Sequence, residues 1–350
     1  MKNRLLKACS IVACAVIFPW SARACDLCAL YTAMQVESPS KGALRLSASE
    51  QYTLLNRVRR DGHYVENTAD QYLKSSVTQV SGQYDISDSV AVQFVSPIIS
   101  RSYRRIQNEE VSNGSDAGFG DMSLLVHYLP VRYSDGDTTL RLRFFGGVEL
   151  PTGDAHLLGE EASEEHMDAH QEEAGSEATH GGSRPMLKHG GSHHESAPLP
   201  ENAIHGHDIA LGSGSFDFPF GVGLTTQWKR LLGSADLQYT VRSDGAYSYR
   251  YANDFIWSTS LGSFIYVRDS AQVAARVRLS GQYKEKDTGS GGVYYDDTAA
   301  NTKFIGPELN GTLGHRWQGV LGLDIPIDVK NSDLQITATY RWRAAMTYRF

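Results

Sequence analysis

Every second residue is apolar over the last seventeen positions of the chain, and most of the residues between them are polar. A repeat of two residues is that of a β-strand, whose successive side chains point to opposite faces. Strands of soluble proteins typically have about five or six residues, whereas a tilted strand that crosses a bilayer needs about 9–11. The pattern therefore predicts a long strand with one apolar face, whose members are Leu334, Ile336, Ala338, Tyr340, Trp342, Ala344, Met346, Tyr348 and Phe350.

The same alternation recurs in eleven segments upstream, which gives about twelve predicted strands. Single-chain bacterial barrels have an even number of strands, with short periplasmic turns and longer external loops. Short turns follow every even strand here, and longer connections follow most odd strands, at 57–71, 104–118, 153–207, 243–252 and 286–301. The sequence therefore predicts an all-β transmembrane antiparallel barrel with one long disordered external loop.

The N-terminus has the features of a signal peptide over residues 1–24, namely three basic residues, a short apolar stretch and an A-x-A cleavage pattern. Residues 25–42 would then form a periplasmic segment, and residues 43–350 the barrel. Cys25 and Cys28 form a C-x-x-C pair in that segment. In an oxidising compartment the pair is expected to form a disulfide or to remain as thiols, and a soft metal or redox site is the alternative.

The third predicted loop, residues 153–208, carries most of the charge of the chain. It holds twelve Asp or Glu residues and two basic residues, a net of −10, whereas the whole chain has −7. The remainder is therefore +3, with no basic stripe that would indicate a nucleic-acid partner. The acidic balance belongs to one loop and not to the whole surface.

This loop also contains nine of the twelve histidines. Residues 160–177 have helix-favouring composition, and a helix would place His166 and His170 on one face. Imidazole suits Zn²⁺, Cu²⁺ and Ni²⁺, and carboxylates can complete the shell, so the composition predicts weak binding of divalent metal. The alternative is a solvated acidic fringe. The candidate ligands are His156, His166, His170, His180, His189, His193, His194, His205 and His207.

If the apolar alternate residues face lipid, their charged neighbours face the lumen. Arginines and carboxylates that pair across the lumen would brace a narrow barrel, whereas a surplus of arginine would guide anionic or aromatic solutes. The sequence leaves both interpretations open. The predicted lumen residues are Arg141, Arg143, Arg276, Arg278, Arg341, Arg343, Asp121, Asp236, Glu308 and Asp324.

Four short motifs occur in the order of a known family. They are GFGDMSL at 118–124, ELPTGD at 149–154, LGSGSFD at 211–217, and residues 322–326 followed by the closing strand. The chain resembles, from about residue 43 to 350, the outer-membrane proteins named after the MetA pathway of phenol degradation. The resemblance implies a barrel and the passage of small molecules, aromatic ones among them. The closing Phe350 likewise resembles the sorting signal that outer-membrane assembly machinery reads.

The expected function is a channel or facilitator for small solutes in the bacterial outer membrane, with metal bound at its external loop. Lipid, a small-molecule solute and the assembly machinery are the expected partners. Two alternatives stay open, a non-conducting barrel with a metal-binding surface and an outer-membrane hydrolase. The sequence has no G-x-S-x-G element and offers no residues with catalytic spacing, so we predict no enzymatic activity and no cofactor beyond the loop metal.

Overall fold

The computed structural model describes residues 40–163 and 201–350, which form a closed antiparallel β-barrel. The last strand pairs with the first from Arg45↔Arg349 to Arg60↔Leu334, which closes the barrel. The signal peptide, Cys25 and Cys28 lie outside the described residues. The strands are β1 Leu44–Arg60, β2 His63–Tyr64, β3 Tyr72–Asp85, β4 Val90–Gln107, β5 Glu110–Phe119, β6 Met122–Asp135, β7 Thr138–Leu150, β8 Phe218–Trp228, β9 Leu231–Val241, β10 Asp254–Arg268, β11 Ala271–Lys284, β12 Ala300–Leu313, β13 Trp317–Asn331 and β14 Leu334–Arg349.

Twelve of these strands form the wall, as the sequence predicts. The two-residue strand β2 only folds back on the end of β1. Strand β5 continues into β6 after Gly120 and Asp121, and β4 pairs with both of them. Among the described residues, no helix is long and apolar enough to cross a membrane.

The connections follow the predicted rule, with short turns at one end of the barrel and most of the longer connections at the other. The short turns span residues 86–89, 136–137, 229–230, 269–270 and 314–316. The expected loop at 104–118 is wrong, because β4 and β5 continue as a hairpin. Its turn residues Asn108 and Glu109 have φ of 52° and 64°, the left-handed conformation of the tight turns that join twisted strands.

The outer face of the barrel is an apolar belt. Strand β13 shows the pattern well, since Leu321, Leu323, Ile325 and Ile327 are each between 39% and 56% exposed. A soluble protein rarely exposes such a continuous apolar surface, whereas a transmembrane barrel needs one to face the lipid. Together with the closed sheet, the belt identifies a protein of the bacterial outer membrane.

The C-terminal strand departs from the prediction of one uninterrupted lipid-facing side. Leu334, Ile336 and Ala338 are buried inside the barrel. The register with β1 is irregular here, because Leu54 pairs with Tyr340 and Leu55 with Ala338, so Thr339 is skipped. A bulge of this kind reverses which face the following residues occupy. The apolar residues before the bulge therefore point inward, where they have an apolar partner.

Candidate channel: lumen and inner plug

The apolar partner of the inward-facing β14 residues is part of the connection between β7 and β8. Residues 153–163 and 201–215, which we call the inner plug, fold into the half of the lumen away from the short turns. Ala203, Ile204 and Ile209 of the plug have no exposed surface. They share one apolar cluster with wall residues of β1, β3, β12 and β14, namely Leu55, Val58, Leu73, Phe304, Leu334, Ile336 and Ala338. The inward apolar patch of the wall is therefore covered by the plug.

Polar contacts fix the plug backbone to the same part of the wall. The side-chain amide of Gln71 donates to the carbonyl of Glu201 at 2.8 Å and accepts from the amide of Ala203 at 3.0 Å. The carbonyl of Ala203 in turn accepts a hydrogen bond from the backbone amide of Ile336 at 2.9 Å. Buried peptide groups need such partners, so the chain can leave the lumen only if these bonds are broken.

Asp121 anchors the other side of the plug. One of its oxygens accepts from the backbone amide of Gly153 at 2.8 Å, and the other accepts from the amide and hydroxyl of Ser213 at 2.7 and 2.8 Å. The predicted lumen residue Asp121 therefore holds the two ends of the inner plug together. It takes no part in the arginine network described below.

An ion pair joins the two halves of the plug. Nδ1 of His207 lies 2.9 Å from Oε1 of Glu161, and its Nε2 lies 3.5 Å from a carboxylate oxygen of Asp208. Burial acts to lower the pKa of His207, but Asp208, Glu161 and Asp297 outweigh it and raise that pKa well above its usual value. Burial acts to raise the pKa of Glu161, yet the charge and hydrogen bonds of His207 lower it to about 2. The pair is therefore ionic at neutral pH.

Three of the nine predicted metal ligands lie in the described residues, and each contacts a carboxylate. His156 is exposed, with its Nδ1 2.9 Å from Asp154, and His205 lies 3.2 Å from Asp297. The rings of His205 and His207 stack at 5.8 Å. No group of three or more His, Cys, Asp or Glu that could hold a metal occurs in the described part of the chain. The other six, His166, His170, His180, His189, His193 and His194, lie outside it.

Below the plug, predicted lumen residues meet in one network. Asp324 is fully buried and contacts three guanidinium groups, those of Arg278 at 3.3 Å, Arg341 at 3.1 Å and Arg343 at 2.9 Å. Arg343 also contacts Glu308 at 3.2 Å. The network links strands β11 to β14 across the middle of the barrel.

The neighbouring strands carry the remaining predicted arginines. Arg143 pairs with Asp236 at 3.2 Å. Arg276 hydrogen-bonds to Asn310 at 2.9 Å and to Ser234 at 2.6 Å, whereas Glu308 is 3.8 Å away. Nine of the ten predicted lumen residues thus face the centre of the barrel or its short-turn half, and Asp121 lies at the plug.

A cavity of about 430 Å³ occupies the half of the lumen next to the short turns. Its charged lining consists of Arg141, Arg143, Arg276 and Arg278 with Asp236 and Glu308. Hydroxyl and amide side chains form much of the remaining wall, and apolar side chains lie near the turns, including Leu129, Leu232 and Phe264. The arrangement is that of a polar cavity between the arginine network and the short turns.

A second ionic cluster, which the sequence did not indicate, lies nearer the outer end. Arg242 contacts Asp254 at 2.7 Å, Asp217 at 2.8 Å and Glu149 at 3.4 Å. Glu149 and Asp217 also form a backbone bridge where the ladder between β7 and β8 ends. Both carboxylates lie in sequence motifs, ELPTGD and LGSGSFD. Their place in these motifs is the sequence signal from which the cluster could have been found.

Comparison with known proteins establishes the fold. No family model matches the chain, and no curated protein does so either. Among solved structures, an outer-membrane channel from Pseudomonas putida F1 is similar over 90% of this chain and 98% of its own, with a TM-score of 0.55 and 15% identity. At this identity the likeness supports the fold alone.

Two further barrels superpose less closely. The transport unit of the autotransporter AIDA-I from Escherichia coli has a TM-score of 0.40 and 8% identity, over 93% of this chain and 94% of its own. The CymD monoaromatic hydrocarbon channel has a TM-score of 0.36 and 8% identity, over 89% of each chain.

Proposed function

We propose that the protein is a channel that admits small solutes across the outer membrane and that the inner plug closes it in this conformation. The observation that carries the proposal is the division of the lumen into two halves. One half holds a polar cavity of about 430 Å³, and the other is filled by a connection that is no part of the barrel wall. A barrel that served only as a scaffold would need neither a cavity nor a removable filling.

Two resemblances support this proposal. The structure from Pseudomonas putida F1, which is matched over 98% of its length, is described as an outer-membrane channel. The sequence motifs resemble the family named after the MetA pathway, which favours small solutes, aromatic ones included. We propose passive passage and no enzymatic reaction, since most of the charged lumen residues are engaged in ion pairs that span the strands.

We further propose that the His/Asp/Glu-rich segment between the two halves of the plug binds Zn²⁺, Cu²⁺ or Ni²⁺. The support is compositional, because six of the nine histidines lie at 164–200 beside seven carboxylates. His156, His205 and His207 flank this segment. Metal bound there would be attached to both halves of the plug through the chain.

The test is the conductance of the refolded full-length protein in a planar bilayer, with and without micromolar Zn²⁺, beside a variant that lacks 156–207. A channel predicts small, intermittent conductance in the full chain and larger, steady conductance in the deletion. Conductance in neither would overturn the channel and leave the non-conducting metal-binding barrel. A Zn²⁺ effect that survives the deletion would contradict the placement of the metal site.

A further inference from the structure

The charges at the centre of the barrel do not balance. Six guanidinium groups face three carboxylates there, which leaves a surplus of three positive charges. The arginines are those predicted for the lumen, and the carboxylates are Asp236, Glu308 and Asp324. Arrays that only brace a barrel would be expected to be close to neutral, because unpaired charge inside a protein is costly.

The carboxylates are already occupied by other arginines. Asp324 is shared by three guanidinium groups, and Asp236 pairs with Arg143. Glu308 pairs with Arg343 at 3.2 Å and lies 3.8 Å from Arg276. The three carboxylates are therefore too few to neutralise the six guanidinium groups.

Two arginines place part of the surplus positive charge at the cavity wall. Arg141 lines the cavity, and its side chain makes no hydrogen bond or ion pair with any described residue. Arg276 also lines it and is held mainly by the neutral groups of Asn310 and Ser234. Its Nε is buried without a partner among the described residues. Arg141 can thus bind an anion without losing a carboxylate, and Arg276 would give up only its 3.8 Å contact with Glu308.

The surplus is confined to this half of the lumen. Nearer the outer end, Arg242 faces three carboxyl groups, those of Glu149, Asp217 and Asp254, so no positive surplus arises at this cluster. The positive field is therefore a property of the cavity and not of the whole lumen. Field lines focus in such a low-dielectric cleft, which raises the local concentration of ions of opposite sign.

We propose that the cavity is a binding and selectivity site for small organic carboxylates and that Arg141 and Arg276 are its recognition groups. This inference rests on the proposed channel function. A guanidinium binds a carboxylate through two parallel hydrogen bonds. The apolar side chains Leu129, Leu232 and Phe264 at the turn end of the cavity offer a surface to the organic part of the solute. The volume is that of a small-molecule site, for which about 300–1,000 Å³ is usual.

The experiment is a measurement of reversal potential with the full-length protein in a planar bilayer. A tenfold KCl gradient gives the anion preference, and replacing chloride by benzoate or inorganic phosphate on one side compares the anions. The variants are R141Q, R141K and R276Q. The matched control is R268Q, because Arg268 is exposed at a short turn and lines no part of the cavity.

We expect the wild type to prefer anions and to prefer benzoate to phosphate. R141Q should lower the anion preference by about fivefold, the factor for losing one unit charge about 4 Å from a permeant ion in water. R141K should keep the preference for chloride over potassium but lose that for benzoate, since an ammonium cannot form two parallel bonds. R268Q should behave as wild type. The Arg141 side chain makes no hydrogen bond or ion pair with any described residue, so its replacement should leave the barrel folded.

The outcomes separate this inference from the channel itself. Conductance without anion preference, or with the same preference in R141Q and wild type, overturns the carboxylate site and leaves the channel standing. Stronger passage of phosphate than of benzoate overturns the organic part of the assignment. No conductance in the full chain or in the 156–207 deletion overturns both proposals.

Discussion

Replacing Ile204 by alanine should open the channel without weakening the barrel. Ile204 is fully buried in the apolar cluster between the plug and the inner wall. Such substitutions cost about 2–5 kcal/mol, with the larger values where the surroundings cannot collapse into the cavity. Leu55, Phe304 and Ile336 lie on strands paired on the barrel wall, so they cannot follow the shortened side chain. The plug can shift, so we take about 3 kcal/mol, the middle of that range.

A loss of about 3 kcal/mol corresponds to a shift of about a hundredfold in the equilibrium between docked and undocked plug. We expect the open probability in single-channel recordings to rise by that factor, up to saturation. I325A is the control, because Ile325 is 49% exposed on the lipid face and loses the same atoms. Heat-modifiable migration in gel electrophoresis would show that both variants remain folded barrels. Equal open probabilities in I204A, I325A and wild type would refute the idea that this cluster holds the channel shut.

Three other predictions follow from the ion pairs and the histidines. The pair of His207 with Glu161 stabilises the plug fully only between about pH 4.5 and 6.5, the ordinary pKa values of the two groups. Its contribution is lost as the pH falls from 4.5 toward 2, where Glu161 is protonated, and as the pH rises from 6.5 through the raised pKa of His207. Open probability recorded against pH should therefore be lowest in that window, and H207Q should lose the alkaline rise. D324N leaves three buried guanidinium groups without their shared carboxylate, and it should lower the free energy of unfolding in urea by about 3–5 kcal/mol. D328N, at a half-exposed pair, should change the free energy of unfolding by less than about 1 kcal/mol. Similar losses in both variants would contradict the network. Calorimetry of the full chain should show Zn²⁺ binding at pH 7.5 that weakens below about pH 6.5. Deletion of 164–200 should abolish this binding. Binding by the deletion variant would place the metal elsewhere.

The sequence predicts the barrel well because each wall strand has to meet two different solvents. Lipid outside and polar groups inside impose alternation on every strand, and the order of short and long connections then follows from the topology. The hairpin of β4 and β5 is not predicted, because Glu110–Phe119 lacks that alternation. Its residues are held by backbone pairing with β4, and backbone hydrogen bonds do not require particular side chains.

The inward face of the first part of β14 could not be predicted for the opposite reason. Leu334, Ile336 and Ala338 continue the apolar rhythm of the strand, and the sequence does not mark the bulge that turns them inward. An apolar residue that faces lipid and one that faces an apolar plug are chemically equivalent. The lumen residues were easier to predict, because a charged side chain between two lipid-facing positions must point into the lumen. Asp121 shows the limit of that argument, since facing inward does not decide whether a residue meets a solute or a plug.

The charge of the chain changes sign along the proposed path of the solute. An effect of metal on the connection can therefore be distinguished from an effect in the cavity. The connection that carries the plug has a net charge of −10, whereas the cavity side of the lumen has a surplus of three positive charges. On the proposed placement of this connection at the external mouth, an anion arriving from outside would be repelled first and attracted afterwards. Divalent metal on the connection would reduce the repulsion but leave the guanidinium groups of the cavity unchanged. Micromolar Zn²⁺ should therefore raise the benzoate current and shift the reversal potential toward a stronger anion preference. The shift should persist in R141Q and vanish when 164–200 is deleted, and a Zn²⁺ effect that R141Q abolishes would mean that the metal acts inside the cavity.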